Sequence, residues 1–160
     1  ILERYTLALF FHSTNGLYWK KQLGFLTERA ICDWNNGSEV SSSTSSLPGL
    51  PLVAGMYGVY CDAEANVQHI RLSDNDLVGT VPSEVSLLSK LQSLNLQSNA
   101  LSGIIPTQLG RLTALQELDL ANNTLSGTLP TEASRWTNLD ILDLSLNIMT
   151  GTLPTEIGLM

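Results

Sequence analysis

Apolar positions in the second half of the chain recur with a fixed step. Val67, Leu91, Leu115 and Leu139 are each 24 residues apart, and so are Asn75, Asn99, Asn123 and Asn147. Gly79, Gly103, Gly127 and Gly151 keep the same step, as do Pro82, Pro106, Pro130 and Pro154. One period shared by apolar, amide, glycine and proline positions marks an array of units, each too small to bury its apolar edge alone. A unit reads L-x-x-L-x-L-x-x-N-x-L-x-G-x-[IVL]-P, as in Leu115, Leu118, Leu120, Asn123, Leu125, Gly127, Leu129 and Pro130.

Leu118 and Leu120 alternate with polar neighbours, which predicts a short strand with one buried face. Stacked units then build a parallel sheet along one side of a coil. An asparagine held at a fixed inward position satisfies backbone groups where the chain turns away from the strand. The glycine allows a tight or left-handed turn, and the proline sets an extended entry into the return segment. In the returns, apolar residues three apart, such as Leu109 and Leu112, suit a short helix or 3₁₀ segment on the opposite side. The third return has Ala133 and Trp136 there, and we read Trp136 as core, its indole offsetting the smaller alanine.

The continuation after the asparagine appears as Leu77–Pro82, Leu101–Pro106, Leu125–Pro130 and Met149–Pro154. Over residues 67–160 the chain thereby resembles the plant-specific class of leucine-rich repeats. The resemblance implies a right-handed α/β solenoid with a parallel sheet on its concave face and a second small sheet from the L-x-G-x segment. Leu2 to Phe11, Trp19, Cys32-Asp33-Trp34 and Gly58-Val59-Tyr60-Cys61 resemble that family's helical N-terminal cap. An insertion at 35–57, containing Ser41 to Ser46, departs from land-plant caps and brings the chain closer in style to algal members. The expected division is a cap over 1–66 and four repeats over 67–160, the last incomplete.

The two cysteines, Cys32 and Cys61, stand where the cap motif puts a disulfide, which points to an oxidising compartment. Closing a loop of about 30 residues stabilises by roughly 3 to 4 kcal/mol on the chain-entropy model. The alternative is a pair of buried thiols in a reducing compartment.

Composition narrows the function. A hydrophobic share of 43% with 14% charged residues describes one globular domain. A net charge of -7, from fifteen acidic and eight basic residues, excludes nucleic acid as a partner, because phosphate backbones are held by clustered Lys and Arg. The apolar stretch from Leu47 to Tyr60 is too short for a membrane span and contains Pro48 and Pro51. Membrane attachment is expected only through segments outside this sequence or through a partner in a membrane complex. In a chain that starts at Ile1 and stops at Met160 within a return, any leader is expected to have been removed or never included, and the natural protein is expected to continue.

Strand alternation places three ladders on the concave sheet. They are His69, Ser93, Glu117 and Ile141; Arg71, Asn95, Asp119 and Asp143; and Ser73, Gln97, Ala121 and Ser145. Glu117, Asp119 and Asp143 form an acidic patch suited to a basic partner, and Ile141 adds an exposed apolar residue. The bland reading is an ordinary solvated surface. Two carboxylates, Asp119 and Asp143, are too few to indicate calcium, and neither His12 nor His69 belongs to a catalytic or metal-ligating motif. We therefore expect no cofactor, no metal and no catalysis, although a kinase domain following residue 160 is compatible with the sequence. Asn36 and Asn122 each head an N-x-[ST] triplet, candidates for glycosylation. The Leu47 to Val53 run is expected to pack on the cap or on a partner.

The resemblance implies recognition of a peptide, protein or glycan on the concave face, as the ectodomain of a surface receptor or as a secreted protein. The alternative is a structural accessory subunit of a larger membrane or organelle-lumen complex, for instance in a plastid thylakoid. A third idea, ice or mineral binding along Thr80, Thr128 and Thr152, is interrupted by Ile104.

Overall fold

A computed structural model describes residues 1–21, 31–34, 57–155 and 158 of the chain. The insertion, including Asn36 and the Leu47 to Val53 run, lies almost wholly outside the described residues. Helix α1 (Leu2–Ser13) is followed by strands β1 (Gly58–Cys61), β2 (Val67–Arg71), β3 (Val78–Thr80), β4 (Ser93–Asn95), β5 (Ala100–Ile104), β6 (Glu117–Asp119), β7 (Thr124–Ser126) and β8 (Ile141–Asp143). Three 3₁₀ returns, Ser83–Leu87, Thr107–Arg111 and Thr131–Arg135, lie between successive coils.

The strands form two sheets. One has the order β1-β2-β4-β6-β8 and the other β3-β5-β7. Every pairing is parallel except β1 with β2, a hairpin-like antiparallel pair that closes the sheet at its N-terminal edge. This is the leucine-rich-repeat fold, with its N-terminal helix and a Cys32–Cys61 disulfide whose Cα atoms are 5.4 Å apart.

The core follows the repeat. Leu91, Leu94, Leu96, Leu101, Leu115, Leu118, Leu120 and Leu125 are fully buried, as are Leu109 and Leu112 from the second return. Each such side chain removed from water contributes about 1.5–3 kcal/mol. Trp136 is also fully buried, and its indole N–H donates to the Leu109 carbonyl at 2.9 Å, so the larger ring fills the space beside Ala133 without stranding its polar atom. Pro82, Pro106 and Pro130 hold φ between -63° and -74° at the entry to each return.

The asparagines bind across coils as well as within them. The Asn123 amide oxygen accepts from the Leu101 N–H at 2.9 Å, while its Nδ2 donates to the carbonyls of Leu96, Leu120 and Ala121. Asn99 and Asn147 repeat the arrangement toward Leu77 and Leu125. At Asn75 the cap backbone takes the place of a preceding coil. The Asn75 side chain accepts from the Lys21 N–H and donates to the Lys21 carbonyl. The Val78 N–H donates to the Thr14 carbonyl, and Gly79, at φ 124°, lies so close to the Ser13 carbonyl that a side chain there would overlap it.

Candidate functional site

On the larger sheet the inward positions Val59, Ile70, Leu94 and Leu118 are buried, so the residues flanking them face the opposite, concave side. Parallel register fixes the columns. His69 lies opposite Ser93, Ser93 opposite Glu117, and Glu117 opposite Ile141. Arg71, Asn95, Asp119 and Asp143 form the neighbouring column. The antiparallel β1 adds a residue that the ladder reading missed: Tyr60 pairs with His69 and extends the first column. The alternation in Gly58-Val59-Tyr60-Cys61, with Val59 buried, is the signal that could have found it.

Within this surface the charges are organised. Arg71 Nη2 donates to Glu117 Oε2 at 3.0 Å, and Ser93 Oγ donates to the same oxygen at 2.7 Å. The two ionic side chains are 22% and 21% exposed, so water screens this pair far less than an open surface pair. Asn95 Nδ2 donates to Asp119 Oδ2 at 3.2 Å, and the Ala121 N–H donates to Asp119 Oδ1 at 3.1 Å. Asp143 Oδ1 accepts from the Ser145 N–H at 2.9 Å.

Two details describe how the ladder residues sit. Ser93 is buried, because its hydroxyl lies beneath the Glu117 carboxylate, and Ala121 is buried as well. Glu117 is paired with Arg71, and Asp119 and Asp143 are the other two acids of the patch. These two lie directly opposite one another, and no ion pair among the described residues involves either. Ile141, beside them, is 55% exposed. Ser73, Gln97 and Ser145 continue the third column at partial or full exposure.

Ionisation follows from these surroundings. Burial raises the Asp119 carboxyl above the usual carboxylate range, and the neighbouring Asp143 and Glu117 charges raise it further. Hydrogen bonds from Ser145 hold Asp143 below that range. Burial lowers the His69 imidazole, with Arg71 adding to the effect, and burial raises the Tyr60 phenol. His69 Nδ1 and Arg71 Nε are shielded from solvent and have no hydrogen-bond partner among the described residues.

Among the described residues no three His, Cys, Asp or Glu side chains converge on a metal-sized site. No helix there is long and apolar enough to cross a membrane. Asn122 is exposed, whereas Asn123 is buried in the ladder.

A leucine rich repeat family profile matches residues 65–125. Among solved structures, PEPR1 with AtPEP1 is 33% identical over 66% of this chain, with a TM-score of 0.63, and the chain spans 15% of it. The leucine-rich-repeat ectodomain of the receptor kinase SOBIR1 from Arabidopsis thaliana is 31% identical over 66% of this chain, with a TM-score of 0.60, and 62% of it is covered. The ectodomain of the Arabidopsis receptor kinase HAESA, solved with an IDA peptide hormone ligand, is 27% identical over 97% of this chain, with a TM-score of 0.63 and 23% of it covered. The chain thus spans less than two thirds of the length of each of these structures. No curated protein matches the sequence.

Proposed function

We propose that this leucine-rich-repeat chain is a non-catalytic recognition module, a cap over 1–66 followed by four repeats over 67–160, that binds a basic peptide segment along its concave sheet. In this reading it acts as the ectodomain of a surface receptor-like protein or as a secreted protein. The observation that carries the reading is the Asp119–Asp143 pair. Like charges directly opposed on a sheet are unfavourable, and here no cation of the described chain relieves them. A Lys or Arg side chain from a ligand would do so, while Ile141 offers an apolar contact one column away. The disulfide supports an oxidising compartment, and the likeness to the HAESA ectodomain, solved with a peptide hormone ligand, supports a peptide as the ligand class.

The test is calorimetric titration with lysine-rich peptides and with glutamate-rich peptides of equal length. Binding of the basic set alone, abolished in an Asp119→Asn, Asp143→Asn double variant, is the expected result. Equal behaviour of both sets, or binding indifferent to the double variant, sinks the reading.

A further inference from the structure

We infer that Asn122 is a site of N-linked glycosylation, with the glycan standing at the rim where the concave strands end and the second sheet begins. The inference takes its compartment from the extracellular reading above and does not depend on the concave ladders.

The triplet Asn122-Asn123-Thr124 satisfies the acceptor pattern, and its two asparagines have opposite fates. Asn123 is 7% exposed and engaged by the ladder. Asn122 follows β6 after Leu120 and Ala121, sits in the left-handed region at φ 53° and is exposed. Asparagine adopts this backbone region more readily than most residues. The backbone there is fully used, since the Asn122 N–H donates to the Ser145 carbonyl and its own carbonyl accepts from the Asn99 N–H. Only the side chain is free to project.

Among the described residues that side chain makes one hydrogen bond, from Nδ2 to Ser98 Oγ at 3.2 Å. A primary amide carries two N–H donors and a glycosylated amide keeps one. Leu146, the equivalent residue one coil on, is 75% exposed and shares the left-handed backbone at φ 53°. Thr124, the third residue of the triplet, donates its hydroxyl to the Leu101 carbonyl at 2.9 Å once folded. The transferase reads that hydroxyl before the strand forms.

The donor is an oligosaccharide carried on a polyprenol diphosphate. Asn122 Nδ2 bonds to the anomeric carbon as the bond from that carbon to the diphosphate oxygen breaks. The amide gives up one proton, and the lipid diphosphate leaves.

The chain is to be expressed behind a secretion leader in a eukaryotic host and digested with trypsin, which isolates Asn122 on the peptide from Leu112 to Arg135, apart from Asn36. The expected result is a glycan mass on that peptide, removed by N-glycosidase, retained in Thr124→Ser and absent in Thr124→Val. A bare Leu112–Arg135 peptide from secreted wild-type protein, or a modification that persists in Thr124→Val, overturns the inference. The Cys32–Cys61 pair is read in the same digest, so a formed disulfide with a bare Asn122 sinks the glycan alone and leaves the compartment reading intact.

Discussion

Arg71 on β2 reaches across β4 to Glu117 on β6, and Ser93 on the strand between donates to the same carboxylate oxygen. The pair spans two strand spacings, about 10 Å of sheet. It therefore ties three coils together through side chains.

Removing one partner should cost more than losing an open surface pair. Arg71→Ala leaves Glu117 partly buried with only neutral donors, and a loss of about 1.5–3 kcal/mol is expected. Urea denaturation should show the midpoint falling without a change in slope. A shift below roughly 0.5 kcal/mol would place the pair among ordinary surface ion pairs.

Asn123→Ala removes the acceptor of the Leu101 N–H, while the carbonyls of Leu96, Leu120 and Ala121 each keep another donor, Asn99 Nδ2, Asn147 Nδ2 and the Ser98 N–H respectively. A destabilisation of about 1–3 kcal/mol is expected, the cost of one buried donor left unsatisfied. Asn123→Asp should fare no better at neutral pH, because it keeps the acceptor, loses the donors and buries a charge. Thermal unfolding of both variants checks this.

The pH dependence has a definite sign. Because His69 titrates below its unfolded value near 6.5, the unfolded chain binds the extra proton first as pH falls. Its contribution to stability is present above that value and is lost as pH drops from about 6.5 through the folded pKa. His69→Gln should flatten that segment of the stability profile. Asp119 moves the opposite way, and Asp143→Asn should lower its titration midpoint while leaving it elevated, since burial is the larger cause. Carboxyl NMR titration measures both ends of that statement.

Reduction of Cys32–Cys61 opens a loop with a sequence separation of 29. A loss of roughly 3–4 kcal/mol is expected. Cys32→Ser with Cys61→Ser, compared by denaturant melts with the reduced wild type, checks it.

Where the sequence repeats, it was legible. The 24-residue step carried the buried leucines, the proline-led returns and the positions of the asparagines, because each is forced by backbone geometry that recurs in every coil. The concave columns followed from alternation alone. What alternation does not carry is which long side chains meet across the sheet. Glu117 reads as one of three acids until Arg71 is seen two strands away. Tyr60 was missed for a related reason: it belongs to an antiparallel strand contributed from outside the repeat, so no period announces it.

The asparagine ladder also gives the solenoid a direction. Asn99, Asn123 and Asn147 each offer an amide oxygen to the coil before, at Leu77, Leu101 and Leu125. A coil is therefore completed by its successor, and a lesion is felt upstream of where it occurs. Deleting the Asn147 side chain should quicken amide exchange first at Leu125, so that fraying travels from the last coil toward α1 one coil at a time.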